Sequence, residues 1–221
     1  MTVGLRLSTA CAQLARTPRT GVAAAMLLLA GCGGSGNPLD NPSSVNNPNS
    51  GQQGQKLSFA YFQTCINPIL KKVLPIDIGG VISNNQCAGS GCHNGNTGTG
   101  GSFRVLGTAA DEPLPPSTGS MSEDDKTRIR ASAEIYRNYY SAQGATVIGA
   151  PTSSLLLNKP LVLNVLHGGG LIFHNDGTDT NVKQMAYWIN HPAPQGEDEF
   201  SVTTYSMFEG GEPDATKCKS E

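Results

Sequence analysis

The segment Cys87-Ala-Gly-Ser-Gly-Cys92-His93 places two thiols and an imidazole within seven residues. Four small residues separate the cysteines, and the surrounding residues 84–101 are rich in Gly, Asn and Thr, which predicts a loop. Thiols and imidazoles bind metals, and thiols also form covalent bonds with other groups. We therefore expect the fold to be organised around whatever this segment binds.

Three kinds of chemistry fit this segment. A c-type haem needs two thiols that add across its vinyl groups, and a histidine directly after the second thiol that reaches the iron. The common spacing has two residues between the thiols, whereas this chain has four, and the small flexible insert suits a longer loop around the porphyrin edge. Alternatively, Cys87 and Cys92 form a small disulfide. In the third interpretation they bind zinc together with His93, although zinc usually takes two ligand pairs separated by a longer loop.

The composition restricts the class of protein. Of 221 residues, only 14% are charged, while 27 are Gly and 14 are Pro, which argues against a helical bundle or a coiled coil. The length fits one ordinary domain, with or without tails. Residues 33–221 retain 12 of the 15 Lys and Arg and all 17 Asp and Glu, a net charge of −5. The sequence therefore gives no basis for a nucleic-acid partner.

The N-terminal region has the pattern of an export signal. Three arginines and no acidic residue lie in its first part, and residues 21–30 form an apolar run about half as long as a membrane-spanning helix (~20 residues). The run ends in Leu29-Ala30-Gly31-Cys32, which resembles the bacterial lipobox. We expect residues 1–31 to be a lipoprotein signal peptide and Cys32 to carry the lipid; an ordinary signal peptide with a chance cysteine is the alternative.

The segment after Cys32 is expected to be a tether. Residues 33–56 contain one leucine, one valine and no aromatic residue, which is too little apolar surface to offset the entropy of ordering. Residues 32–56 would then join a folded domain to a membrane through the lipid anchor. Gly33 replaces the aspartate that often retains such lipoproteins at the inner membrane, which favours the outer membrane of the cell envelope, with the domain facing the periplasm or the cell surface.

Hydrophobic periodicity predicts a mainly α fold with long Gly/Pro-rich loops. Apolar residues recur at helical spacing over residues 57–73, where Ser58 is a candidate cap and Pro68 would kink or divide the helix. A second helix is predicted over residues 123–142 and a last one over residues 179–189.

Further motifs follow one another along the chain. In order they are Phe62 with Asn67-Pro68-Ile69-Leu70, Cys87 to His93, Ser102-Phe103-Arg104-Val105, Pro151 to Pro160 (Pro-Thr-Ser-Ser-Leu-Leu-Leu-Asn-Lys-Pro), His167-Gly168-Gly169-Gly170 and Tyr187-Trp188-Ile189. This order resembles the small cytochrome c domains of planctomycete and proteobacterial exported proteins, several of which also have four residues between the cysteines. The resemblance covers residues 59–190.

The resemblance implies a cytochrome c-like domain over residues 57–192, with few helices wrapped around one haem c. Cys87 and Cys92 would attach the haem, and His93 would be the proximal iron ligand. Candidate cavity or core residues are Phe103, Leu155, Leu156, Leu157, Ile172, Trp188 and Ile189. Arg104 is a candidate partner of a haem propionate, although an arginine beside an apolar run is more often a solvated edge residue.

The distal iron ligand is implied to be His167. It lies where ordinary small cytochromes c have a methionine, and the three glycines after it let the backbone approach the porphyrin. A turn histidine bonded to nearby backbone is the alternative interpretation of His167. Met185 on the last helix is the second candidate ligand, with core packing as its other possible role. A thioether ligand raises the reduction potential relative to a second imidazole, so His167 implies the lower potential.

Two cysteines, Cys65 and Cys218, lie outside the motif. We expect them to form a disulfide that ties residues 193–221, predicted to be an acidic and largely irregular tail, to the first helix; two free thiols are the alternative.

The sequence therefore predicts an envelope-anchored monohaem c-type cytochrome that passes single electrons to a redox partner protein and is not an enzyme. The alternatives are a haem sensor domain and a metal-free structural or accessory lipoprotein held by two disulfides.

Overall fold

The computed structural model describes residues 54–78, 80–163 and 165–221. The predicted signal peptide, lipidation at Cys32 and nearly all of the tether lie outside the described residues. Within the described ranges, no helix has the length and apolar character needed to cross a membrane.

The chain is mainly α, as the periodicity predicts. Its elements in order are α1 (Phe59–Tyr61), the π-helical segment Phe62–Ile66, α2 (Asn67–Lys71), β1 (Leu74–Ile78), β2 (Val81–Asn85), α3 (Glu123–Ser132), α4 (Glu134–Gly144), the 3-10 helix Pro151–Ser153, α5 (Leu155–Asn158), α6 (Thr180–Asn190) and the 3-10 helix Val202–Met207. Long irregular segments connect β2 to α3 and α5 to α6.

Residues 59–71 form one continuous helical stretch with a π-helical segment in its middle. Ser58 caps it, because its side chain accepts a hydrogen bond from the backbone N–H of Tyr61 (3.1 Å). Pro68 has no N–H to donate, and the segment directly before it is π-helical, with Asn67 N–H bonded to Phe62 O. The expected kink or division at Pro68 takes the form of a local change from α-helical to π-helical hydrogen bonding.

The helix predicted over residues 123–142 is two helices. Ser122 caps α3 by accepting from Asp125 N–H (3.1 Å), as expected, but Ala133 has an extended backbone (ψ 127°) that separates α3 from α4. Both Ile129 before the break and Ile135 after it are buried. No glycine or proline marks this break, so it reflects packing of the two helices against the core.

The core forms where the first helical stretch, α4 and α6 meet. Trp188 of α6 is fully buried, with its ring 5.4 Å from that of Phe62 and 6.3 Å from that of Tyr139 between ring centres. Its indole N–H donates to Ser58 O (3.0 Å), which satisfies the polar atom of the ring. α6 begins at Thr180, and the side chain of Asp179 caps it.

The C-terminal residues are not a loose tail. Phe200, Tyr205 and Phe208 are buried, and Phe59 N–H donates to Glu199 O (2.8 Å) at the start of α1. The predicted disulfide between Cys65 and Cys218 is present. The acidic residues do not keep this segment out of the core, because the aromatic residues between them bury enough apolar surface to join it.

The folded part also begins earlier than residue 57. Gln55 Nε2 donates to Ala193 O (3.2 Å), and Ala193 N–H donates to Lys56 O (2.7 Å). These bonds attach the predicted end of the tether to the chain after α6. Among the described residues, hydrogen-bonded structure therefore extends to both sides of residues 57–192.

A β-hairpin leads into the cysteine segment and was not predicted. β1 and β2 pair antiparallel with Leu74 opposite Asn85 and Ile78 opposite Val81, and Gly80 adopts a positive φ of 86° in the turn. The hairpin ends two residues before Cys87, so it fixes the start of the candidate loop.

A buried carboxylate joins α3 and α4 to the C-terminal segment. Glu199 has a side-chain exposure of 2% and accepts hydrogen bonds from Arg130 Nε and Tyr136 Oη, both at 2.8 Å. Burial opposes its ionisation, but the bonds from Arg130, the backbone and Tyr136 outweigh burial and lower the pKa of Glu199. The ionised carboxylate is therefore the form that the fold prefers.

Replacing Arg130 with methionine should lower the free energy of unfolding by about 2 kcal/mol at pH 7, because it leaves Glu199 buried without its cation. In the native protein the lowered pKa stabilises the fold above the unfolded pKa of about 4.3, and this contribution is lost as the pH falls through the folded pKa. In Arg130→Met the pKa of Glu199 rises, so the deficit relative to the native protein should shrink below about pH 4.

Urea unfolding at pH 7 and pH 3.5 measures this difference. Arg137→Met is the matched control, since Arg137 is an exposed residue of α4 and its loss removes the same charge. An equal deficit at both pH values, or an equal loss in the control, would contradict the assigned role of Glu199.

Candidate functional site

A cavity of about 580 Å³ brings the predicted site residues together. Cys87, Cys92, His93, His167 and Met185 all line it. Its volume lies within the range of roughly 300–1,000 Å³ that is usual for ligand sites. The chain thus places two thiols, two imidazoles and a thioether around one ligand-sized space.

The cysteine segment is held in a compact loop. His93 N–H donates to Cys87 O (2.9 Å), and Cys92 N–H donates to Gly89 O (2.9 Å), so the four-residue insert folds back on itself. Ala88 is buried, and its N–H donates to Leu70 O (3.1 Å) at the end of the first helical stretch. The core therefore positions the loop directly.

The imidazole of His93 is fixed by neighbouring backbone. Its Nδ1 is 3.0 Å from Phe103 O, and Val105 N–H donates to His93 O (2.7 Å). A Cβ atom at Gly100 would lie 2.6 Å from the ring, so only glycine fits against it. With Nδ1 bonded to a carbonyl, Nε2 is the nitrogen left to accept a ligand, which is the arrangement typical of metal-binding histidines.

His167 repeats this arrangement on another segment. Its Nδ1 is 2.9 Å from Gly170 O, and the described residues provide no hydrogen-bond partner for Nε2 of His167 or of His93. The two rings are nearly parallel, with an interplanar angle of 9° and 6.2 Å between their centres. The bond to Gly170 also agrees with a simple turn histidine, but the nearly parallel arrangement of the His167 and His93 rings is a further feature that a turn does not require.

The His93 imidazole is held in its neutral form. Burial lowers its pKa, the bond to Phe103 O opposes this change, and the electrostatic effects of His167, Arg104 and Lys159 lower it further. A neutral imidazole has a free lone pair, which is the form that binds metal ions.

The two thiols are not bonded to each other. Cys87 and Cys92 are free cysteines, Cys87 is buried, and Asn85 Nδ2 lies 3.3 Å from Cys92 Sγ. Burial, followed by the effect of Cys92, raises the pKa of Cys87 to about 11. Cys87 is therefore a protonated thiol at neutral pH and does not have the properties of an activated nucleophile.

Zinc binding has no support in this geometry. Among residues 54–78, 80–163 and 165–221, no three or more His, Cys, Asp or Glu side chains are placed to hold a metal ion. Zinc needs three or four protein ligands, whereas a haem iron needs only axial ligands.

The apolar residues that were predicted for the cavity or the core divide into two groups. Phe103, Leu155, Leu156 and Ile172 line the cavity, while Leu157, Trp188 and Ile189 are buried in the core. Leu70, Lys159 and Phe173 are among the lining residues that were not predicted to belong to the site. Leu70 and Lys159 belong to motifs that were recognised, whereas Phe173 follows the glycines after His167 without a periodic pattern.

Comparison with known proteins adds no assignment: no family model, curated protein or solved structure matches this chain.

Gly100→Ala should destabilise the protein by about 1–3 kcal/mol, because the new methyl group would overlap the His93 ring and Cys92 O. Gly91→Ala is the matched control in the same loop, since a Cβ atom there meets no atom within 4 Å. Its effect should stay within about 0.5 kcal/mol. Urea unfolding of both variants measures the difference, and similar stability of the two would contradict the close packing around His93.

Proposed function

We propose that this protein is a monohaem c-type cytochrome, anchored in the cell envelope through Cys32, that exchanges single electrons with a redox partner protein. Cys87 and Cys92 would attach haem c, with His93 as proximal and His167 as distal ligand. The mainly α shell with long loops around one cavity supports the finer assignment of a cytochrome c-like fold.

The observation that carries the proposal is the distance and angle between the imidazole rings of His93 and His167. A metal–imidazole bond is about 2.0–2.1 Å and the ring centre lies about 1 Å beyond the nitrogen, so two imidazoles on opposite sides of one ion have centres about 6 Å apart. The centres of His93 and His167 are 6.2 Å apart, and the rings are nearly parallel. This spacing supports the proposal that both residues would bind one haem iron.

The other residues of the cavity have roles consistent with this assignment. The two thiols precede His93 in one compact loop, so attachment and proximal ligation come from the same wall of the cavity. Apolar side chains, among them Phe103, Leu156 and Phe173, line the cavity and limit the access of water. When bound, the haem supplies the one-electron chemistry of its iron, and a second imidazole favours a lower potential than a thioether does.

The alternatives have less support. A lipoprotein held by two disulfides requires Cys87 and Cys92 to be bonded, and they are free. A sensor domain requires an open iron position, whereas the His167 ring lies parallel to that of His93. Met185 is buried and lines the cavity, which is consistent with packing as well as with ligation.

Purified protein made together with haem-maturation factors should be red and should give a c-type alkaline pyridine haemochrome that survives acid-acetone extraction. Covalent attachment to Cys87 and Cys92 is the reason, and replacement of both cysteines by alanine should abolish the retained colour. The Cys65→Ala/Cys218→Ala double variant is the matched control, because it removes two cysteines outside the loop. A colourless protein despite competent maturation would refute the cytochrome assignment.

His167→Ala should convert the iron from six-coordinate low spin to high spin, because the distal imidazole is lost. Met185→Ala should keep the low-spin spectrum. Visible and electron paramagnetic resonance spectra of the two variants measure the spin state. A low-spin His167→Ala variant together with a high-spin Met185→Ala variant would reverse the assignment of the distal ligand.

A further inference from the structure

The side chain of Asn85 contacts the sulfur atom of Cys92. Its Nδ2 donates to Cys92 Sγ (3.3 Å), and its Oδ1 accepts from Gln86 N–H (2.9 Å). The bond from Gln86 fixes the orientation of the amide, because a rotated amide would place one donor against another. All three residues line the cavity. Asn85 therefore presents a fixed hydrogen-bond donor to one of the two thiols.

The hairpin holds Asn85 in this place. Asn85 is the last residue of β2 and pairs with Leu74, the first residue of β1. Leu74 is buried, whereas Val81 and Ile82 near the turn are exposed. The end of the hairpin that carries Asn85 is thus the end that packs on the core, and this gives the side chain a rigid support.

Gly89 allows the insert between the cysteines to lie against this amide. A Cβ atom at Gly89 would be 2.8 Å from Asn85 Oδ1 and 2.9 Å from Gln86 O, so the close approach needs glycine. Cys92 N–H donates to Gly89 O (2.9 Å), and this turn brings the second thiol back toward Asn85. A four-residue insert leaves the second thiol more positions than a two-residue insert does, and the bond to Asn85 holds it in one of them.

The two thiols differ in how they are held. Cys87 is buried, so the packing of the core restricts its side chain, whereas Cys92 is only half-buried. The position of Cys92 Sγ therefore depends more on a directed contact, and Asn85 supplies that contact.

We propose that Asn85 is a positioning residue for covalent haem attachment, which holds Cys92 Sγ at the cavity for reaction with one vinyl group. The inference rests on the proposed function. Cys92 would add across the double bond: its S–H bond breaks, the sulfur bonds to one vinyl carbon, and the hydrogen goes to the other as the π bond is lost. Atoms and electrons balance in this addition without an oxidant or a reductant.

The test compares Asn85→Asp with the native full chain, both made with haem-maturation factors. The aspartate keeps an oxygen that accepts from Gln86 N–H but has no donor for Cys92, so a role confined to the Gln86 bond would be unaffected. The ratio of protein linked through Cys87 alone to protein linked through both cysteines should rise about fivefold, the factor expected for one hydrogen bond of ordinary strength. Peptide mass spectrometry after denaturation and iodoacetamide treatment measures this ratio, since an unlinked Cys92 is alkylated.

Asn84→Asp is the matched control. Asn84 is the exposed neighbour of Asn85 on the opposite face of β2, and its substitution introduces the same charge. The alkaline pyridine haemochrome gives an independent signature, because a vinyl group that stays unreacted remains conjugated and moves the visible band to longer wavelength. This shift should occur in Asn85→Asp and not in Asn84→Asp.

A second measurement needs no haem. In the full chain made without maturation factors, the side-chain N–H groups of Asn85 should exchange with solvent about fivefold faster in Cys92→Ala than in the native protein, because their sulfur acceptor is lost. Cys87→Ala is the control, and nitrogen-15 NMR follows the exchange.

The outcomes separate the two proposals. Double linkage in Asn85→Asp to the same extent as in Asn84→Asp, or unchanged exchange in Cys92→Ala, would overturn the role of Asn85 and leave the cytochrome assignment intact. A native protein without covalent haem would overturn both. If Asn85→Asp does not fold, Asn85→Ala takes its place, and it should show the same rise in singly linked protein.

Discussion

The site depends on one constraint, which is that two backbone carbonyls hold two imidazoles in fixed orientations. Phe103 O holds His93 and Gly170 O holds His167, and the rings come to lie 6.2 Å apart. Each bond occupies Nδ1, so both rings leave the same nitrogen for a ligand. The glycines at positions 100 and 169 permit this arrangement, because a side chain at either position would press on a ring.

The core of the fold holds the cysteine loop that carries His93 in place. The first helical stretch packs against α6 through Phe62 and Trp188, and its end at Leu70 binds the cysteine loop through Ala88. The C-terminal segment is attached to the same stretch by the hydrogen bond from Phe59 N–H to Glu199 O and by the disulfide between Cys65 and Cys218. The position of the loop is therefore a consequence of the core and needs no ligand to explain it.

The parts that sequence reasoning found are those with a local physical signal. Ser58 and Ser122 were identified as caps because hydroxyls before acidic or apolar runs bond to free N–H groups. His93 and the two cysteines were identified because their chemistry and spacing are uncommon.

The features that the sequence did not predict depend on contacts between residues far apart in the chain. Ala133 interrupts a run without a breaker, and Phe200 and Phe208 are buried despite the acids around them. Arg104 Nη1 is buried without a hydrogen-bond partner among the described residues, and this depends on how the chain packs beside His93, which periodicity does not describe.

The disulfide also affects the order of events as the chain is made. Cys65 precedes Cys218 by 153 residues, and Cys87 and Cys92 are synthesised between them. For that interval Cys65 has two wrong partners nearby in sequence and its correct partner has not been made. Native pairing is therefore direct only when Cys87 and Cys92 are kept reduced or are covalently occupied first; otherwise a wrong disulfide has to be exchanged for the native one. Formation of the core disulfide therefore depends on the state of the two cavity thiols at the time when Cys218 is synthesised.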